Sequence, residues 1–146
     1  MHQNIRDQVD WEQPFPHEEY TARQGRVRAA LKAHGYTGIL ISSPPDLNYL
    51  FGYDQIWFSH DSLCVCLLPA DEDEFVFFDN DGHEMLLSIY PEISDIVYFK
   101  RGKVGDHIEV IASEVLRRDW AKGTLALQPR CYGPHSHRLC RVNWFR

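Results

Sequence analysis

Three short apolar runs constrain the fold of this 146-residue chain more than any other feature of its sequence. They occupy residues 38–42, 63–69 and 75–79. Runs of this length with so few polar residues are typical of strands that are buried on both faces. The acidic residues 71–74 between the second and third runs predict a solvated turn, so these two strands are expected to form a hairpin.

Segments with a helical period lie around and between these runs. The first predicted helix begins at His17 or Glu18 and ends before Gly35, a residue type that commonly terminates helices. Its expected apolar stripe consists of Tyr20, Val27, Ala30 and Leu31. Its expected solvated face consists of Arg23, Arg26, Arg28 and Lys32.

The remaining segments complete an α/β order. Asp46 is expected to cap a single helical turn at residues 46–50. The other predicted elements are a short helix at 83–90, a strand near 93–99, a long helix at 105–120 and a strand at 124–128. The buried stripe of the long helix is expected to hold Ile108, Ile111, Val115 and Trp120. Helices that alternate with strands in this way predict an α/β domain.

Composition excludes several classes of function. The formal net charge is −6, and the sequence shows no basic face of the kind that binds nucleic acid. No apolar run reaches membrane-spanning length, and the polar N-terminus has no pattern of a secretory signal. Cys64 and Cys66 lie two residues apart in a predicted strand and are interpreted as small core residues. This cysteine usage is typical of a reducing compartment, so a cytoplasmic location is expected.

Residues 44–62 hold more aromatic side chains than an ordinary solvated loop. These are Tyr49, Phe51, Tyr53, Trp57 and Phe58, and polar residues alternate with them. Aromatic walls with a few convergent polar groups are typical of small-molecule sites. A packed loop that closes the end of a sheet has the same composition, because aromatic side chains are more often part of a core. Both interpretations stay open on the sequence.

Two segments resemble a known family of domains. Residues 42–53, SSPPDLNYLFGY, are similar to the N-x-x-Y-L-(T/S)-G-(Y/F) segment after the first strand in the N-terminal domain of the creatinase/prolidase family. Residues 19–31, EYTARQGRVRAAL, are similar to the E-Y-x-x-R-x-x-R-(V/L)-R-x-x-L opening helix of the same domain. The resemblance implies a single α/β domain with a mixed sheet of about five to six strands flanked by helices.

In that family this domain precedes a "pita-bread" hydrolase domain with a divalent metal pair, as in creatinase, Xaa-Pro dipeptidase, aminopeptidase P and ectoine hydrolase. The resemblance implies that catalytic and metal-binding residues belong to that second domain. None is therefore assigned to this chain, which is expected to be inactive alone. The resemblance also implies a homodimer, in which one N-terminal domain reaches towards the active site of the other subunit. The implied substrates are dipeptides, creatine-like compounds or ectoine-like compounds, hydrolysed at a C–N bond.

The resemblance points to four substrate-binding candidates. A Phe-x-Arg pair after this loop contributes to the creatinase pocket, and Phe58 and His60 stand at the matching positions. His60 replaces the arginine, which departs from creatine-like recognition, although an imidazole still offers a donor to a carboxylate or amide. Tyr53 lies in a G-Y-D sequence like that of ectoine hydrolases, and Trp57 adds to the aromatic wall. The alternative for His60 is a surface histidine without a ligand.

The predicted organisation is an N-terminal arm at residues 1–16, the domain at 17–129 and a basic tail at 130–146. The tail holds four arginines and no acid, departs from the family pattern, and is interpreted as truncated, disordered or a natural ending. A zinc site is a further hypothesis for the tail, although the spacing is not a usual structural one. Its ligands would be Cys131, His135, His137 and Cys140. The alternative function for the whole chain is a free-standing α/β module that binds a small ligand or a protein.

Overall fold

The computed structural model describes residues 13–54, 64–90, 92–100, 104–118, 120 and 122–128. The helices are α1 (His17–Ala33), α2 (Pro44–Phe51), α3 (Glu84–Leu87) and α4 (Val104–Arg117), and a 3-10 turn spans Asp81–His83. The strands are β1 (Tyr36–Ile41), β2 (Val65–Pro69), β3 (Val76–Asn80), β4 (Ile96–Phe99) and β5 (Thr124–Leu127). This order confirms the predicted α/β class. None of the helices in these ranges is long and apolar enough to cross a membrane.

The strands form one mixed sheet in the order β4-β3-β2-β1-β5. In its centre β1 pairs antiparallel with β2, and β2 pairs antiparallel with β3, which confirms the predicted hairpin. At its edges β5 runs parallel to β1, and β4 runs parallel to β3. A parallel pair needs a crossover connection, and the connection from β3 to β4 contains α3. The predicted mixed sheet is therefore confirmed, with five strands in the described part of the chain.

Side chains of the central strands alternate between two apolar clusters. In β2, Cys66 and Leu68 belong to one cluster, and Val65 and Leu67 belong to the other. The first cluster also contains residues of α1, α2 and α3, whereas the second contains residues of α4. Because helices cover both faces of the sheet, the central strands need apolar side chains at nearly every position. This explains why the three runs at residues 38–42, 63–69 and 75–79 are almost entirely apolar.

Two arginines of α1 do not lie on a solvated face, contrary to the prediction. Arg23 and Arg28 are each 8% exposed. Arg28 donates from Nε to the carbonyl of Pro69 at 3.2 Å and from Nη2 to that of Asp73 at 2.9 Å. Arg23 donates from Nη1 to the carbonyl of Tyr49 at 2.8 Å. Periodicity alone cannot distinguish an arginine in solvent from one whose guanidinium reaches over a neighbouring segment and pairs its carbonyl groups.

The end of α1 follows the predicted signal. Gly35 adopts a φ of +73°, the left-handed conformation that favours glycine after a helix. The apolar stripe is narrower than predicted, because Ala30 lies at its edge and is exposed. Gln24, on the inner side of α1, is buried and donates from Nε2 to the carbonyl of Leu50 at 3.1 Å. Polar side chains therefore share the inner face of α1 with apolar ones.

Ser43, and not Asp46, is the residue that precedes α2. Pro44 and Pro45 open the helix, where an N–H group would have no partner in any case. Asp46 lies in the first turn and accepts a hydrogen bond from Nε2 of Gln128. The Oε1 atom of Gln128 in turn accepts the N–H of Ser43 at 3.3 Å. A residue just after β5 therefore holds the start of α2, and spacing along the chain could not reveal that contact.

The second half of the chain follows the predicted order with shorter elements. The helix expected at 83–90 is a 3-10 turn followed by one turn of α3. Asn80 begins it, because its Oδ1 accepts the N–H of Gly82 at 2.8 Å. In α4, Ile111 and Val115 are each 1% exposed, as their helical spacing predicts. The acidic residues 71–74 are exposed, which confirms the solvated turn.

Candidate functional site

One of the four predicted substrate-binding residues lies in the described part of the chain. This residue is Tyr53, which follows α2 by two positions. Trp57, Phe58 and His60 lie outside the described residues, and their roles stay predictions. The ligands of the zinc hypothesis, Cys131, His135, His137 and Cys140, also lie outside the described residues. The site is therefore built outward from Tyr53 and the residues that hold it.

Tyr53 is fully buried, with 0% of its surface exposed. Its ring packs edge to face against Tyr90 and Phe77, with ring centroids 5.0 and 5.5 Å away. Its hydroxyl donates to Oδ2 of Asp79 at 2.7 Å. A buried phenol needs such an acceptor. The aromatic side chain that predicted a ligand wall at this position is thus part of the apolar core.

Asp79 presents a carboxylate with no exposed surface, near the end of β3. Its Oδ1 accepts the backbone N–H of Asn80 at 2.7 Å and lies 2.8 Å from Nδ1 of His83. The hydroxyl of Tyr53 donates to Oδ2, so groups that can donate contact both carboxylate oxygens. Such pairing makes a buried carboxylate tolerable. We call Tyr53, Asp79 and His83 the stem cluster, after the segment 52–54 that contains Tyr53.

Little in the residue pattern indicates the stem cluster. Asp79 is a lone acid at the end of an apolar run, directly before Asn80 and the turn that ends the strand. An acid there is also the ordinary beginning of a turn. Only the position of Tyr53 beside it in the folded chain identifies the pair.

Burial keeps the tyrosine hydroxyls around Asp79 protonated. Burial raises the pKa of Tyr53, and the nearby Cys64 and Asp79 raise it further. Tyr98 lies beside Asp79 in the β3–β4 pair, where burial, with Glu84 and Asp79, raises its pKa to about 12. Both phenols are therefore neutral donors at ordinary pH and not competing negative charges.

Residues 52–54, which we call the stem, lead from α2 into the aromatic segment. Gly52 adopts a φ of +70°, and a Cβ atom there would lie 2.8 Å from the hydroxyl oxygen of Tyr20. The carbonyl of Asp54 accepts a hydrogen bond from the hydroxyl of Tyr90 at 3.0 Å. Close packing at one end and hydrogen bonds at the other therefore fix the stem immediately before residue 55.

A second polar and aromatic group lies on the surface between α1 and α2. The guanidinium carbon of Arg23 lies 4.2 Å from the ring centroid of Phe15 and 4.4 Å from that of Tyr49. These two rings are 46% and 48% exposed. A cation–π contact stabilises by about 0.5–1 kcal/mol at an exposed site and by about 2 kcal/mol where the cation is desolvated, and Arg23 itself is buried. Tyr49, an aromatic residue of the predicted stretch, thus contributes to the contact between two helices.

Metal-binding groups are not gathered in the part of the chain that the structure describes. Within it, no three His, Cys, Asp or Glu side chains are placed to hold one ion. Cys64 and Cys66 are fully buried in the first apolar cluster, which confirms their predicted place in the core. Burial raises the pKa of the Cys66 thiol, which disfavours the thiolate form that binds metals.

The mixed sheet, the two helix-covered faces and the fixed stem define a single α/β domain. Residues 23–132 match the family described as Creatinase/Prolidase N-terminal domain. The match covers well over half of the chain, and the chain therefore belongs to this family, as its two motifs indicated. It is similar to the ectoine hydrolase of Halomonas elongata, with 26% identity over 120 residues, which cover 79% of this chain and 30% of the relative.

Two solved structures share the fold. The prolidase from Thermococcus sibiricus is 18% identical with a TM-score of 0.65, and the match covers 83% of this chain and 31% of that one. The N-terminal domain of the Xaa-Pro dipeptidase from Lactobacillus brevis is 11% identical with a TM-score of 0.64, covering 80% and 83%. The chain thus spans about a third of the length of the ectoine hydrolase and the prolidase, but most of the isolated N-terminal domain.

Proposed function

We propose that this chain serves as the N-terminal, non-catalytic domain of a metal-dependent hydrolase that acts on C–N bonds. Family membership over residues 23–132 carries the proposal. The similar proteins are named as an ectoine hydrolase, a prolidase and an Xaa-Pro dipeptidase. In this role the domain completes the substrate pocket and contributes to a homodimer in the cytoplasm.

The segment after the stem supplies the pocket wall in this proposal. Trp57 and Phe58 form its aromatic surface, with Tyr53 at its base, and His60 is its polar group. An imidazole can donate to a carboxylate or an amide oxygen of a substrate. The fixed stem supports this role, because binding groups need a base that is itself held by packing and hydrogen bonds.

The metal pair and the catalytic residues belong, in this proposal, to a second domain that follows this one. The chain alone is therefore expected to hydrolyse nothing. The substrate is a small molecule or a dipeptide. The similarity to ectoine hydrolase favours a compact amide or amidine, and the dipeptidase-like structures favour an Xaa-Pro dipeptide. A creatine-like substrate fits less well, because His60 stands where the creatinase pattern has an arginine.

The size of the native gene product tests the proposal. Immunoblotting and intact-mass measurement on the source cells should find a protein of about 40–50 kDa, two or three domains in length. Its purified form should hydrolyse one of the three substrate classes and lose that activity when a chelator removes the metal. A native product of 17.1 kDa would contradict the proposal. It would favour the free-standing module, and a ligand screen on that module would follow.

A further inference from the structure

Residues 13–15, which we call the strap, lie against both α1 and the stem. The Oε1 atom of Gln13 accepts the hydroxyl of Tyr20 at 3.3 Å and occupies the space that a Cβ atom at Gly52 would fill. The ring of Phe15 packs edge to face on that of Tyr20, with the ring centroids 6.1 Å apart. Tyr20 itself is buried. The strap therefore helps to cover a tyrosine at the junction of α1 and the stem.

Separate contacts hold the strap, which is part of neither a helix nor a strand. The hydrogen bond between Gln13 and Tyr20 is long for an O–H···O pair. The guanidinium carbon of Arg23 lies 4.2 Å from the ring centroid of Phe15, but almost half of that ring stays exposed. A backbone hydrogen bond between Phe15 and Tyr20 adds to these contacts. Pro14 has no N–H group and can donate none.

The closed strap buries a donor that has no partner. The Nε2 atom of Gln13 is buried, and no acceptor for it lies in the part of the chain that the structure describes. A buried donor without a partner costs free energy, and the donor recovers its hydrogen bonds when water reaches it. This cost is similar in size to the gain from one cation–π contact. The closed and open positions of the strap should therefore differ little in free energy.

We propose that the strap is a reversible lid on the junction of α1 and the stem. In the closed position Gln13 fills the space beside Gly52. In the open position water reaches Tyr20 and the amide of Gln13, while the helices and the sheet stay folded. The carbonyl of Pro16 accepts the N–H of Glu19 at 3.0 Å as α1 begins, so the hinge lies directly before Pro16. This movement is independent of the proposed function.

Nitration of the tyrosine rings by tetranitromethane tests the lid on the full chain, with peptide mass spectrometry at increasing urea. Tyr53 lies in the core and should react only through global unfolding, so its rate should rise steeply with urea. Tyr20 should react roughly tenfold faster than Tyr53 without urea and depend little on low urea, because the open strap exposes little surface. Exposed Tyr36 gives the reference rate of an accessible ring. Equal rates and equal urea slopes for Tyr20 and Tyr53 would overturn the proposal.

Two aromatic residues on the same guanidinium give a matched pair of variants. Phe15 and Tyr49 both contact Arg23 and are exposed to a similar degree, but Tyr49 belongs to α2 and not to the strap. Phe15→Ala should raise the nitration rate of Tyr20 several-fold and keep its weak dependence on urea. Tyr49→Ala should leave the rate of Tyr20 unchanged relative to that of Tyr36. The same effect in both variants would contradict a role of the strap.

Two glycines with the same backbone conformation give a second pair. Gly52→Ala places a Cβ atom against Gln13 and Tyr20, so the strap cannot close over it and the ratio of the Tyr20 rate to the Tyr53 rate should rise. Gly35→Ala is equally strained but meets nothing within 4 Å, so this ratio should stay constant. The Tyr53 rate reports the global stability of each variant. A ratio that Gly52→Ala leaves unchanged would contradict the lid. If Gly52→Ala does not fold, the preceding measurements still decide.

Discussion

Long polar side chains of α1 satisfy backbone carbonyl groups of other segments. Arg23 and Gln24 donate to the carbonyls of Tyr49 and Leu50 in the last turn of α2. The last carbonyls of a helix have no partner within that helix. These two side chains therefore complete the end of α2, immediately before the stem, and they link the two resembled motifs of the family in space.

Removal of Arg28 should destabilise the domain. Arg28→Met keeps most of the aliphatic part of the side chain but removes the guanidinium that donates to the carbonyls of Pro69 and Asp73. Loss of one partner of a buried group costs about 1–3 kcal/mol. Urea denaturation of the purified chain measures the change. Arg26→Met, in which the replaced side chain is 60% exposed, is the control and should change the midpoint little. Equal midpoints for the two variants would contradict the role of Arg28.

Replacement of His60 should impair a complete enzyme. In the proposed pocket, His60→Ala should raise KM or lower kcat by at least tenfold, or ~1.4 kcal/mol in transition-state binding. Steady-state kinetics with the preferred substrate measures it. His34→Ala changes an exposed histidine at the end of α1 and serves as the control. Values within twofold of the parent for His60→Ala would remove this residue from the pocket.

Residue types indicated Tyr53 as a candidate, but they did not indicate the side chains that hold it. The aromatic density of the stretch indicated Tyr53, and the structure places that residue in the core beside Asp79. Asp79 and His83 are ordinary turn residues on the sequence. Their role depends on a contact across 26 positions, which neither periodicity nor spacing contains.

At the scale of elements, two glycines that end helices give a matched comparison. Gly35 and Gly52 have φ values of +73° and +70°, so alanine is strained at both. A Cβ atom at Gly35 meets nothing within 4 Å, whereas one at Gly52 meets Gln13 and Tyr20. Gly35→Ala should cost about 1–2 kcal/mol, the usual penalty of the left-handed conformation. Gly52→Ala should cost more, and a denaturant titration of each variant measures the difference. Equal losses would show that Gln13 and Tyr20 move aside freely.

Element order was predictable because the apolar periods of helices and strands differ. The runs at 38–42 and 75–79 correspond to β1 and β3, and the hairpin of β2 and β3 followed from one acidic turn. The boundaries of helices and strands were less predictable where contacts with a distant segment determine them. The start of α2 is held by Gln128, which belongs to the far end of the described chain.

At the scale of the whole molecule, a network of charged side chains links the C-terminal end of α4 to Asp95, the residue before β4. Arg118 donates to both carboxylate oxygens of Asp95, and its Nη2 lies 2.9 Å from Oδ1. Its Nε donates to Glu114 at 2.6 Å, and Arg117 donates to the same carboxylate at 2.5 Å. Hydrogen bonds from Arg117 and then Arg118 outweigh burial and lower the pKa of Glu114 from 4.5 to about 2.

This network should make stability depend on pH below 4.5. A carboxyl group with a lowered folded-state pKa adds stability above its unfolded value, near 4.5, and loses it as the pH falls towards about 2. Arg117 is 67% exposed, so solvent screens the pair and the contribution is about 1 kcal/mol. The difference in unfolding free energy between the parent and Glu114→Gln should shrink between pH 6 and pH 3. Urea titrations at several pH values measure it, and a constant difference would contradict the lowered pKa.

The parallel pairing of β1 with β5 has a consequence for synthesis. In that pair Tyr36 lies opposite Thr124, whereas the β1–β2–β3 ladders join strands that follow one another in the chain. Distant pairings form late, because closing a long loop costs more entropy. A ribosome must therefore release the chain through β5 before the sheet can be completed. Until then β1 is an edge strand of the nascent domain, and its unpaired backbone groups favour association with other chains.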